Sequence, residues 1–98
     1  MSLAARAITI TGGSGNDTFS GTTVSDSLDG GAGADAIIGG GGNDNITGGL
    51  GNDTITAASG NDVINGGIGT DKLTGGNGKD TFVFAAGDRG QSALTFEV

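Results

Sequence analysis

Gly48-Gly49-Leu50-Gly51-Asn52-Asp53-Thr54-Ile55-Thr56 decides the fold, because its pattern recurs on both sides of it without a single insertion. Steps of nine residues from Asp53 land on Asp17, Asp26, Asp35, Asp44, Asp62, Asp71 and Asp80. Two residues after each aspartate stands a large apolar side chain, in order Phe19, Leu28, Ile37, Ile46, Ile55, Ile64, Leu73 and Phe82. Eight frames of nine therefore run from Gly12 to Val83, with aspartate at position six and the apolar residue at position eight. Glycine and asparagine tolerate positive φ, so Gly-Gly-x-Gly-Asn-Asp reads as a loop. The triplets that follow, such as Thr54-Ile55-Thr56 and Thr81-Phe82-Val83, alternate polar, apolar, polar as a short strand with one buried face. A strand that short is not stable alone. Stacking of successive frames is what satisfies its backbone groups and buries its large side chain, so the period predicts an all-β solenoid.

The register extends past the array. Thr9-Ile10-Thr11 falls in step, with Ile10 nine residues before Phe19, and residues 1–11 read as an N-terminal capping strand without a metal loop. Residues 12–83 are the eight-repeat array, and 84–98 a C-terminal cap or truncated extension. There Gln91 takes the next inward frame position, and Phe84, Leu94, Phe96 and Val98 read as strand positions. Two frames are irregular. The second, Gly21-Thr22-Thr23-Val24-Ser25-Asp26, lacks glycine at positions two and four, and the sixth, Ala57-Ala58-Ser59-Gly60-Asn61-Asp62, has alanine at the first two.

Bulk composition limits what such a chain can do. Its 98 residues allow one domain, and with 23 glycines and four aromatic residues, all Phe, it cannot build an ordinary core. Something besides burial must hold it. The net charge is −7, with Arg6, Lys72, Lys79 and Arg89 as the basic residues, which disfavours nucleic acid and anionic membrane as partners and invites a cation. Without cysteine or histidine there are no disulfides, no thiolate or imidazole metal ligands and no histidine general base. The acceptors that remain are oxygens. No apolar run is long enough to span a bilayer, so no membrane insertion is expected, and Met1–Thr11 lacks the pattern of a signal peptide.

If two frames complete one coil, aspartates alternate between two sides. Asp17, Asp35, Asp53 and Asp71 form one column, and Asp26, Asp44, Asp62 and Asp80 the other. Neighbours in a column then lie roughly one strand spacing apart, about 4.8 Å at the backbone. Carboxylates that close repel by roughly 1 kcal/mol per pair in water and several-fold more when partly buried. A divalent ion between loops reverses the sign. Calcium suits an all-oxygen site of tolerant geometry better than magnesium, which demands a tight octahedron and retains its waters. Transition metals are disfavoured without nitrogen or sulfur ligands. One Gly-Asn-Asp would signify only a turn; eight aspartates in unbroken register argue for cation sites.

The frames 48–56 and Gly39-Gly40-Gly41-Gly42-Asn43-Asp44-Asn45-Ile46-Thr47 resemble the nonapeptide of the RTX, or hemolysin-type calcium-binding, family, and the resemblance covers residues 12–83. Gly78-Lys79-Asp80-Thr81-Phe82-Val83-Phe84 is similar to the closing repeat of serralysin-type proteases and alginate epimerase modules. The resemblance implies a right-handed parallel β-roll with two repeats per coil and calcium between loops two frames apart. It implies that carbonyls of positions two and four and the aspartate of one loop meet carbonyls of positions one and three and the aspartate of the second loop. One site would take Gly13, Gly15 and Asp17 with Gly30, Ala32 and Asp35; a second Gly31, Gly33 and Asp35 with Gly48, Leu50 and Asp53. A third would take Gly49, Gly51 and Asp53 with Gly66, Ile68 and Asp71. In the other column the pattern gives Gly40, Gly42 and Asp44 with Ser59 and Asp62, and Gly60 and Asp62 with Gly75, Asn77 and Asp80, both weakened by Ala57 and Ala58. Thr22 and Val24 stand where glycine is expected, which leaves Asp26 outside the set. Three bound ions would bring −7 to about −1.

Functionally, the resemblance implies a calcium-binding module of a bacterial secreted, extracellular protein that folds on calcium after type I secretion, with other domains in a larger parent chain. A structural or adhesin stalk and a polysaccharide-contacting accessory module are the alternatives. Ice binding would need a threonine ladder, and position three runs Ser14, Thr23, Ala32, Gly41, Leu50, Ser59, Ile68, Asn77. No enzyme activity is expected. The regular carboxylates belong to the ladder, and no phosphate-loop, nucleophile-elbow or EF-hand spacing occurs.

Overall fold

The computed structural model describes residues 6–83 together with the backbone of 93–95. Its strands are the three-residue segments β1 (Thr9–Thr11), β2 (Thr18–Ser20), β3 (Ser27–Asp29), β4 (Ala36–Ile38), β5 (Asn45–Thr47), β6 (Thr54–Thr56), β7 (Val63–Asn65), β8 (Lys72–Thr74), β9 (Thr81–Val83) and β10 (Ala93–Thr95). Each frame supplies one of β2 to β9, always at positions seven to nine.

Every strand pairs in parallel with the next but one along the chain, so one sheet has the order β1-β3-β5-β7-β9 and the other β10-β8-β6-β4-β2. Pairing is in phase with the repeat, as in Ile37 opposite Ile55 and Ile46 opposite Ile64. The result is an all-β parallel solenoid of about four turns with two nine-residue repeats per coil. Among the described residues no helix is long and apolar enough to cross a membrane.

Position eight points inward throughout. Leu28, Ile37, Ile46, Ile55, Ile64 and Leu73 are buried between the sheets with Ala57, and Ile8, Ile10, Phe19 and Phe82 pack against them from the ends. A slot one apolar residue deep from each sheet is all this composition can fill, and each of these side chains contributes roughly 1.5–3 kcal/mol on burial.

At the N-terminal end β1 pairs with β3 at the expected register. At the other end Ala93–Thr95 pairs with Lys72–Thr74, but Leu94 lies opposite Leu73, twenty-one residues away rather than the eighteen that separate Ile37 from Ile55. Three residues beyond the repeat are therefore accommodated between β8 and β10. Phe84, Gln91, Phe96 and Val98, and the side chain of Leu94, lie outside the described residues.

Candidate metal centre

Between strands the chain turns through the six-residue loops, and the loops stack as strictly as the strands. Positive φ falls on glycines at positions two and four, for example 83° at Gly31 and 103° at Gly33. A side chain on either would drive into the carbonyl of Gly13 or Gly15 in the loop below, so the glycines serve both backbone angle and close stacking. Asparagine tolerates positive φ too, but none of the described asparagines adopts it. Ala58 is the one non-glycine residue with positive φ among those described. The position-five asparagines act through their side chains instead: Oδ1 of Asn16, Asn43, Asn52 and Asn61 accepts the N–H of Ala34, Asn61, Thr70 and Lys79, at 2.8–2.9 Å.

The aspartates form a second side-chain ladder. Oδ1 of Asp35, Asp44, Asp53, Asp62, Asp71 and Asp80 accepts the backbone N–H of the aspartate eighteen residues earlier, at 2.8–3.0 Å. One oxygen of each carboxylate is thus committed to holding the rungs together. This contact was not foreseen from the sequence, where the ladder figured as a repulsive array held together by cations.

The other oxygen has a different fate. Oδ2 of Asp17, Asp35, Asp44, Asp53 and Asp62 is buried and has no hydrogen-bond partner. Each lies at one gap between stacked loops. A methyl built on Gly30 would lie 2.6 Å from Asp35 Oδ2 and 2.8 Å from the carbonyl oxygen of Gly48 in the next loop; on Gly48 the same distances run to Asp53 Oδ2 and Gly66 O. Glycine at position one therefore keeps a space open between a carboxylate oxygen and a carbonyl.

Carbonyl directions around that space are consistent. The position-two oxygens of Gly13, Gly31 and Gly49 face the next loop and accept the N–H of Ala32, Leu50 and Ile68 at 2.9–3.1 Å, each retaining a second lone pair. At position four, Gly15, Gly33 and Gly51 aim their oxygens at Gly33, Gly51 and Gly69. At position three, Ile68 O faces back and accepts the Gly51 N–H at 3.0 Å. Ala32, Leu50 and Ile68 themselves stack by parallel bridges along the outer edge. In the other column Gly42 O faces Gly60, and Gly60 O faces Gly78.

The sixth frame keeps the same backbone without its glycines. Ala57 O lies in the gap beside Asp44 Oδ2, 2.8 Å from where a Gly39 methyl would be, and Ala58 O points at Gly76. Ala58 reaches this by adopting φ 72°, at a cost of about 1–2 kcal/mol for a residue with a Cβ. The sequence reading took Ala57 and Ala58 as weakening their sites and left both carbonyls out of the ligand set. Ala57 is fully buried, and its methyl, at a position where every other frame has glycine, narrows the gap beside Asp62.

The second frame departs further. The N–H of Thr22 donates to Asp26 Oδ2 at 2.6 Å, the Thr22 hydroxyl lies 3.0 and 3.1 Å from its two oxygens, and the N–H of Ile8 donates to Oδ1 at 2.9 Å. Asp26 has no orphaned oxygen.

Electrostatics separate the two cases. Burial, together with the neighbouring carboxylates, pushes Asp53 and Asp62 up to about 7 against the N–H bonds they accept, and raises Asp44. Burial also pushes on Asp26, but the N–H groups of Thr22 and Ile8 and the Thr22 hydroxyl outweigh it and hold that carboxyl below the usual range. No three carboxylates converge among the described residues, so any ion in a gap must take much of its shell from backbone carbonyls. Buried acidic oxygens without partners beside convergent carbonyls fit a hard, oxygen-preferring cation.

A parallel β-solenoid with a carboxylate at every rung defines the class as a cation-binding repeat fold. The RTX calcium-binding nonapeptide repeat matches this chain in four copies, at residues 9–28, 20–55, 47–82 and 56–89, and the chain belongs to that family. Its repeats bind calcium and form a β-roll. Comparisons with curated proteins and with solved structures give no match.

Proposed function

We propose that this chain is a calcium-triggered folding module of a secreted protein, with five ion positions. The observation that supports it most is the set of five buried, partnerless Oδ2 atoms on Asp17, Asp35, Asp53, Asp44 and Asp62, one per gap. A buried acceptor left unpaired costs about 1–3 kcal/mol, more if charged, so five in register need a common partner. Calcium, when bound, supplies positive charge and a tolerant oxygen shell. In the first column the ligand oxygens come from Gly13, Gly15, Asp17, Gly30, Ala32 and Asp35, then from Gly31, Gly33, Gly48, Leu50 and Asp53, then from Gly49, Gly51, Gly66, Ile68 and Asp71. In the second column Gly40, Gly42, Asp44, Ser59 and Asp62 are joined by the carbonyl of Ala57, and Gly60, Gly75, Asn77 and Asp80 by that of Ala58.

The module is unfolded where calcium is scarce and folds outside the cell, following type I secretion, as its family membership suggests. Residues 1–11 cap one end, 12–83 bind the ions, and 84–98 cap the other end or lead into a parent chain whose other domains hold any enzymatic activity. Far-UV circular dichroism through a calcium titration tests this, with magnesium as control. A cooperative coil-to-β transition in calcium alone is expected; a chain fully β-structured in chelator, with no response to calcium, rejects it. The hydrogen-bonded Oδ1 and asparagine ladders favour the stalk as a second reading, since they hold rungs together without an ion.

A further inference from the structure

We infer that the loop of residues 21–26 closes its gap without an ion: Thr22 gives Asp26 the positive partners that calcium gives the other aspartates, and residues 6–11 paired with 21–29 form a metal-independent first rung of their sheet. The inference rests on the calcium reading for the remaining gaps, whereas the clamp itself does not. Its origin is steric. Position two of a regular loop has positive φ, which glycine adopts freely and a β-branched residue does not. Thr22 does not adopt it. Its N–H turns inward to Asp26 Oδ2 at 2.6 Å, and its hydroxyl reaches both carboxylate oxygens while accepting the Val24 N–H at 3.3 Å.

Charge-assisted donors of this kind are about twice as strong as neutral ones, and an ion entering this gap would have to displace them from a buried carboxylate. The next aspartate in the column offers the contrast, since Asp44 Oδ2 has no partner. Below Asp26 the stack also closes without acid. Ile8 stands at the position-six register, donates its N–H to Asp26 Oδ1 at 2.9 Å and accepts the Ser27 N–H at 2.9 Å. The end rung is therefore paired on backbone and side chain, with Ile8 and no carboxylate on the outer side of Asp26. In a solenoid, where each rung is stabilised by its neighbour, a rung formed in advance templates the next.

The test uses the full chain. Bound calcium is counted by elemental analysis after equilibrium dialysis at saturation, and amide hydrogen exchange is followed in chelator. In chelator the Ile8, Thr22 and Ser27 amides are expected to exchange about tenfold more slowly than those of Asn45, Thr54 and Val63 in the interior. Asp26→Asn should bind as many ions as the unsubstituted chain, and Thr22→Gly should bind one more and lose the protection. The inference is overturned if Asp26→Asn binds one ion fewer, if Thr22→Gly gains none, or if Ile8 and Thr22 exchange as fast as the interior. Should the unsubstituted chain bind no calcium at all, the proposed function fails, and the exchange experiment in chelator still decides the clamp.

Discussion

The second and sixth frames both lack glycine at position two, and they answer the loss in opposite ways. Ala58 accepts φ 72° and keeps its carbonyl aimed at the next loop, leaving Asp62 Oδ2 without a partner. Thr22 refuses the angle and spends its N–H and hydroxyl on Asp26. Threonine has a branched Cβ that raises the cost of positive φ beyond alanine's, and a hydroxyl that rewards the alternative. A single backbone angle thus separates an aspartate left open to a cation from one already satisfied.

The largest expected divergence between the two frames comes with pH in the absence of metal. Asp62 is raised from 3.8 to about 7, so its contribution to the folded state is complete below 3.8 and is lost as pH rises through about 7. Asp26 is lowered, so its contribution is present above 3.8 and is lost only as pH falls through its depressed value. Acidifying the chelated chain from about pH 8 to about pH 5 should increase amide protection around Asp53 and Asp62 and leave the Asp26 rung unchanged. Hydrogen exchange at the two pH values checks this, and a loss of protection at Asp62 would sink it. Calcium affinity should fall over the same interval as protons compete for these carboxylates.

Gly49→Val puts a β-branched residue at φ 93° with its Cβ against the Gly31 carbonyl, and should cost about 3 kcal/mol in urea unfolding at saturating calcium. If the loop escapes as the second frame does, the variant will lose far less, and the choice made by Thr22 is then open to any frame. Thr22→Val removes the hydroxyl and keeps the branch, and should cost about 1.5 kcal/mol. That loss should be the same at moderate and saturating calcium, because no ion is coupled to it; a calcium-dependent loss would break the contrast. The smallest effect belongs to Ala58→Gly. Relief of about 1–2 kcal/mol of left-handed strain, less the 0.5–1 kcal/mol of extra glycine entropy, leaves a gain of roughly 0.5–1 kcal/mol in the same unfolding measurement.

The spacing of Phe19 through Phe82 was enough to place the inward residues and a stack of short strands, because a short strand with one large side chain has one face to bury. Two repeats per coil, and with them the two sheets and the eighteen-residue pairing, came from the family resemblance. The aspartate at position six was legible for the same reason of period. What each carboxylate oxygen does was not. Asp35 reads the same in sequence whether Oδ1 binds the Asp17 N–H or an ion, and only the stacked loops reveal the division of labour. The asparagine ladder was hidden because Asn16 suits a turn equally well by backbone angle or by side chain, and its acceptor role depends on the N–H of Ala34 arriving from the next coil. Thr22 did carry a signal. A β-branched residue in a glycine position announced an altered loop, but not that its hydroxyl would find Asp26.

The eighteen-residue pairing also fixes how such an array can change length over generations. Ile46 pairs with Ile64, and every other pairing among β1 to β9 repeats the same step. Loss or duplication of eighteen codons joins like to like and preserves which surface every later side chain decorates. Loss of nine would keep each downstream frame intact but exchange its sheet, moving Lys72 and Thr74 from the face of β8 to the opposite face of the roll. Unequal recombination at the gene would therefore be filtered by parity, since whatever reads one flat face of this solenoid tolerates even steps and sees every odd one as a different surface.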